Sequence, residues 1–69
     1  MARRVGELAP RQHQIMTCML AGQPNKNIAA DLGLSQRTVE SHRAEVMRKT
    51  GATSMPALAR LALAASTEL

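Results

Sequence analysis

The chain contains no phenylalanine, tyrosine or tryptophan. Hydrophobic residues nevertheless fill 45% of its 69 positions, so any core must be assembled from leucine, isoleucine, valine, methionine and alanine. Such a core is thin, and the expectation is one small domain of modest stability. Cysteine occurs once, at Cys18, which excludes an intrachain disulfide and a thiolate cluster for zinc. Its place in an apolar helical run makes it a small hydrophobe, compatible with a reducing compartment. No apolar run approaches the ~18 residues of a membrane-spanning helix, and no signal-peptide pattern opens the chain. A cytoplasmic protein, or a piece of one, with no membrane partner is expected. Repeats and low-complexity segments are absent as well.

Acidic residues are few. Five Asp and Glu face nine Lys and Arg, leaving a net charge of +4. A small basic domain suits a polyanionic partner, although a charge of this size also serves solubility alone. Seven of the nine cations are arginine, the side chain better matched to bidentate phosphate or base contacts.

What the chain does contain is organised around residues 25–50, NKNIAADLGLSQRTVESHRAEVMRKT. Ile28, Ala29 and Leu32 give a short helix one apolar edge. Gly33 stops it, because glycine accepts the left-handed conformation of a helix exit. Leu34 is a single apolar anchor in the turn, and Ser35 is a good N-cap for a second, longer helix. Along that helix Val39, His42, Val46 and Met47 recur at helical spacing. Ala29 is small where two crossing helices approach closely, Gly33 lies four residues on, and Val39 six beyond that. Two helices joined by such a short glycine-containing turn form a helix-turn-helix unit, a spacing shared with helical hairpins that bind nothing.

With the buried side of the long helix centred on Val39, Val46 and Thr50, its outer side carries Arg37, Ser41, Ala44 and Arg48, with Glu40 on the flank. This face has no large apolar residue. Its small, hydroxylic and charged groups suit a major groove, and they also suit an ordinary solvated surface.

The flanks complete a four-helix plan. Residues 1–7 have no helical period and read as a loose basic segment, in which Arg3 and Arg4 are better taken as an inert tail than as a DNA arm. Pro10 to Ala21 forms the first helix, with Ile15, Met16, Met19 and Leu20 as its core stripe and Leu8 as a staple. Ala9 is a poor N-cap for it. After Gly22 and the Gln23-Pro24 turn, Asn25 is the expected N-cap of the second helix. Lys26 in that first turn is unfavourable for the helix dipole unless an anion such as a DNA phosphate docks there; otherwise it is an ordinary surface cation. Gly51 ends the long helix, Ser54 caps the next, and a fourth helix runs from Met55 to about Ala65, before a frayed tail over 66–69. It is apolar on two sides. Met55, Leu58, Ala59 and Ala62 are expected to close the core. Pro56, Arg60, Leu63 and Ala64 form a spare stripe, expected to contact a second copy or another domain.

These residues together resemble the four-helix DNA-binding domain of LuxR/FixJ/NarL-type transcription regulators. The resemblance is carried by Leu8-Ala9-Pro10-Arg11, Ala21-Gly22, Asn25-Lys26-Asn27-Ile28-Ala29 and Leu32-Gly33-Leu34-Ser35. It continues through Arg37-Thr38-Val39-Glu40, Ser41-His42-Arg43, Met47-Arg48-Lys49 and Thr53-Ser54, with the FixJ-like branch closest in character. It implies an all-α, compact four-helix domain over residues 8–65 with a central helix-turn-helix, bound to double-stranded DNA as a homodimer. It implies that the third helix (about 36–50) enters the major groove, where positions matching Glu40, Ser41 and Ala44 face the bases. Positions matching Lys26, Thr38, Arg43 and Lys49 contact phosphate, and the fourth helix pairs the copies. Arg37 and Arg48 can each reach guanine or the backbone; Arg37 is assigned to the bases and Arg48 to phosphate. Full regulators of this type carry an N-terminal receiver or sensing domain, and RNA polymerase is a further partner. The chain departs from the family's usual residues at Ala9 (threonine or serine), at Gln12 and Gln14 (glutamate) and at Thr50 (leucine or methionine).

Other chemistry finds no footing. His42 lies at core spacing and reads as a packed, hydrogen-bonded histidine, and His13 has no partner motif. No metal-ligand spacing, phosphate loop or nucleophile elbow occurs, so neither an enzyme nor a cofactor is expected. The competing readings are a protein-interaction module using the apolar fourth helix, or charge-driven DNA binding without sequence preference. The free domain is expected to be a monomer that pairs on DNA.

Overall fold

The computed structural model describes residues 7–66, which form four helices: α1 (Pro10–Leu20), α2 (Asn25–Leu32), α3 (Gln36–Thr50) and α4 (Met55–Ser66). The all-α reading is correct. The basic arm at the N-terminus and the tail beyond Ser66 lie outside the described residues.

The starts of the helices differ in quality, and sequence chemistry explains why. Ser35 caps α3 as expected, its hydroxyl accepting the Thr38 N–H at 3.1 Å. Ser54 does the same for α4, accepting the Ala57 N–H at 3.2 Å. At α1, Ala9 has no hydroxyl to offer, and only the returning half of a capping box exists: Gln12 Oε1 accepts the Ala9 N–H at 3.1 Å. At α2 the expected cap is corrected by one position. Pro24, not Asn25, occupies the N-cap with extended backbone (φ −71°, ψ 158°), and its carbonyl accepts the N–H groups of Asn27 and Ile28. Proline has no side-chain acceptor, so Asn25 enters the first turn instead.

The exits of α2 and α3 are alike. Gly33 (φ 68°) and Gly51 (φ 74°) take the left-handed conformation that ends α2 and α3. At Gly33 a Cβ would meet nothing within 4 Å, so the positive φ alone demands glycine there. The Leu34 N–H then donates to the Ala29 carbonyl at 2.9 Å, and Leu34 packs against the core as the turn's anchor.

α3 is the central element: α1, α2 and α4 all pack on it, and α4 also reaches α1. Its buried side is the expected one, with Val39 and Val46 fully buried and Thr50 nearly so. They meet Ile15, Met16 and Met19 from α1, Ile28 and Ala29 from α2, and Leu58 from α4. Ala29 is buried, as a close approach of α2 to α3 requires. The Thr50 hydroxyl donates to the Val46 carbonyl at 2.7 Å and accepts the Ala52 N–H at 3.3 Å, so a polar group in the core is satisfied.

α4 turns a different face inward from the one expected. Leu58 is fully buried and Ala62 is packed on the core, but Met55 and Ala59 are exposed, and Ala57, Leu61 and Ala65 take the remaining inward places. A helix apolar on nearly every side gives no periodic signal for its rotation, and the packing against α1 and α3 decides it. Of the expected α1 stripe, Leu20 is only half-buried, and Gln12, which had no place in it, is buried beside it.

Candidate functional site

The outward side of α3 is where the sequence places its reader. Arg37, Glu40, Ser41 and Ala44 are all exposed and together line one shallow concavity. They come together because residues three and four apart share a helix face. Among these four there is no large apolar side chain to demand a hydrophobic partner. Glu40 can only accept hydrogen bonds when ionised, Arg37 can only donate, Ser41 can do either, and Ala44 presents a methyl group. That combination offers a polar partner both acceptors and donors along about two turns of helix.

Around this face the expected phosphate-contacting residues occupy different local environments. Lys26 is exposed in the first turn of α2. Thr38 is exposed at the start of α3, and its Oγ1 accepts from the Ser35 hydroxyl at 2.9 Å. That leaves the threonine's own O–H free to donate outward. Arg43 is half-buried. Arg48 is exposed, but its guanidinium is already engaged: Nε donates to Glu45 Oε2 at 3.1 Å and Nη2 to Oε1 at 2.7 Å. This fork holds the Glu45 carboxyl below its ordinary value, chiefly by hydrogen bonding, and raises Arg48. Lys49 is half-buried, and its ammonium donates to Gln12 Oε1 at 3.0 Å, which leaves two of its three protons for another acceptor. Arg48 and Lys49 also stand in the last turn of α3, where cations complement the helix dipole.

Two features here escaped the sequence reading. Glu45 was not singled out, although an acid three residues before an arginine on a helix is a readable pairing signal. The Gln12–Lys49 contact joins separate helices and has no local signal.

On a separate element, Pro56, Arg60, Leu63 and Ala64 are exposed along α4, Leu63 by 66%. Arg60 and Ala64 also border a shallow groove with Thr50, Ala52, Ala57 and Leu61. The structure therefore brings the Arg37–Ala44 set together and keeps the α4 stripe apart from it. His42 is half-buried, and its ring has no hydrogen-bond partner among the described residues, contrary to the hydrogen-bonded histidine expected. Among the described residues no three His, Cys, Asp or Glu side chains gather to hold a metal ion, and no helix is long and apolar enough to cross a membrane.

Comparison with known proteins agrees with this architecture. Residues 6–62 match the model of "Bacterial regulatory proteins, luxR family". The transcriptional regulatory protein FixJ of Rhizobium meliloti (strain 1021) is 52% identical over 61 residues, which cover 88% of this chain and 30% of that protein. UhpA of Escherichia coli (strain K12), also a transcriptional regulatory protein, is 42% identical over 57 residues, covering 83% of this chain and 29% of that protein. The crystal structure of full-length FixJ from B. japonicum superposes with a TM-score of 0.82 at 44% identity, over 96% of this chain and 32% of that one. The chain thus spans about a third of the length of the relatives it matches. A family match across most of the chain, joined to the same four-helix fold, makes this protein a member of the luxR family of bacterial regulatory proteins, with a helix-turn-helix at its centre.

Proposed function

We propose that this chain is the sequence-specific DNA-binding output module of a bacterial transcription regulator of the two-component type. It reads the major groove with α3 and pairs with a second copy through α4. The observation that carries the reading is the outer face of α3. Arg37, Glu40, Ser41 and Ala44 form one continuous polar surface at the exposed side of a helix-turn-helix, in a chain whose relatives are transcriptional regulators.

In this reading the bases are met by Glu40, Ser41, Ala44 and Arg37. A carboxylate in the groove takes the cytosine N4 amine, a methyl meets the thymine methyl, and an arginine fork fits guanine O6 and N7. Lys26, Thr38, Arg43, Arg48 and Lys49 hold the phosphates on either side and set the register. Lys26 supplies charge beside the Asn25 and Lys26 N–H groups, which precede the first helical hydrogen bond of α2, a favourable combination for one phosphate. The α4 residues Pro56, Arg60, Leu63 and Ala64 pair the two copies on DNA. A receiver or sensing domain joined to this module supplies the signal in the full regulator, and RNA polymerase receives the output.

The test is selection of random duplexes on the 69-residue protein at moderate salt, followed by sequencing. Two inverted half-sites near one helical turn apart are expected. Retention of DNA with no enriched motif would replace this reading with charge-driven binding. No retention would favour a protein-interaction module built on α4.

A further inference from the structure

Arg37 and Arg48 stand at opposite ends of the outward face of α3. They are eleven positions apart, about three helical turns and ~16 Å, and within roughly 20° of the same side. Their surroundings differ. Arg37 has no hydrogen-bond partner among the described residues, whereas both Nε and Nη2 of Arg48 are held by the Glu45 carboxylate. The two side chains of that pair remain 63% and 40% exposed, so an external anion can displace the carboxylate.

We infer that Glu45 is a restraint on Arg48, one that suppresses sequence-independent attraction of α3 to DNA phosphate. The inference rests on the DNA-binding reading above. A free arginine that meets a phosphate releases one condensed counterion and adds about 0.9 to the salt slope of binding. An arginine already neutralised by a carboxylate adds almost nothing. To reach the phosphate it must leave Glu45, and the bared carboxylate beside the duplex then recruits a cation from solution. The bidentate fork also fixes the direction of the guanidinium. Non-specific DNA therefore meets one fewer effective charge than the count of cations on α3. A correctly registered site, where base contacts hold the helix in place, can still draw Arg48 across. Charge is thereby moved from general affinity to discrimination.

The experiment measures anisotropy of a labelled random-sequence duplex of ~20 base pairs with wild type, Glu45→Gln and the Glu45→Gln/Arg48→Ala double variant, from 50 to 200 mM salt. Glutamine keeps the helix propensity and the length of the side chain. The single variant is expected to steepen the slope of log affinity against log salt by about 0.9, which is about a 3.5-fold larger loss across that range. The double variant is expected to return to the wild-type slope. Wild-type binding with an unchanged slope in Glu45→Gln overturns the inference alone. A steeper slope that persists in the double variant also overturns it, because Glu45 would then act without Arg48. No wild-type binding at any salt overturns the DNA-binding reading and the inference together.

Discussion

Gln12 in α1 and Lys49 in the last turn of α3, thirty-seven positions apart, share a 3.0 Å hydrogen bond. The same amide oxygen accepts the Ala9 N–H, so one side chain both closes the start of α1 and ties it to the end of the central helix. Gln12→Ala removes the acceptor for both donors. A loss of about 1–2 kcal/mol is expected, since one donor is charged and both are only partly buried. Urea unfolding of the two proteins measures it, and an unchanged midpoint would show that the amide is idle.

Ala9 already has the extended backbone of an N-cap, φ −65° and ψ 156°. Ala9→Ser supplies the missing hydroxyl to the free N–H at Gln12 and completes the capping box. The variant should be more stable by about 0.5–2 kcal/mol, read as a rise in melting temperature.

Thr50 occupies the core through its hydroxyl as much as through its methyl group. Thr50→Val keeps the shape and leaves the buried Ala52 N–H without its acceptor. A cost of about 1–3 kcal/mol follows from that unsatisfied donor. A valine variant as stable as wild type would mean that the 3.3 Å contact carries no weight.

Glu40→Ala bears on function rather than folding, because Glu40 is fully on the surface side of α3. Discrimination at one base pair of the selected site should relax by roughly 1–3 kcal/mol. Base preferences identical to wild type in a repeated selection would remove Glu40 from the reading set.

The Glu45 carboxyl is held below its ordinary value by the Arg48 fork. A depressed folded-state value means that the pair's contribution is complete above the unfolded-state value and is lost as pH falls through the folded one. The fork is therefore intact at neutral pH and opens only in acid. Carboxyl chemical shifts followed by NMR should show Glu45 titrating at lower pH in wild type than in the Arg48→Ala variant. Coincident Glu45 titration in the two proteins would contradict the fork.

The outward set of the candidate site was legible in the sequence. Val39, Val46 and Thr50 define the inner side of α3, and a rigid 3.6-residue period then places Arg37, Ser41, Ala44 and Arg48 opposite them. The engagement of the cations was not legible to the same degree. That Arg48 is occupied follows from a local i,i+3 pairing, but that Lys49 leans onto Gln12 depends on where α1 crosses α3.

By itself the sequence determined the four helices, their glycine exits at Gly33 and Gly51, the serine caps at Ser35 and Ser54, and the two faces of α3. All of these depend on groups within about four residues of one another, the range over which backbone hydrogen bonding and helical period act. Only the tertiary structure decided the rotation of α4, with Leu58, Leu61, Ala62 and Ala65 inward and Met55 and Ala59 in solvent. It alone also joined Gln12 to Lys49. A helix apolar all round gains similar burial in several orientations. The choice among them comes from how its side chains interlock with those of α1 and α3, and that fit is a property of the packed helices together.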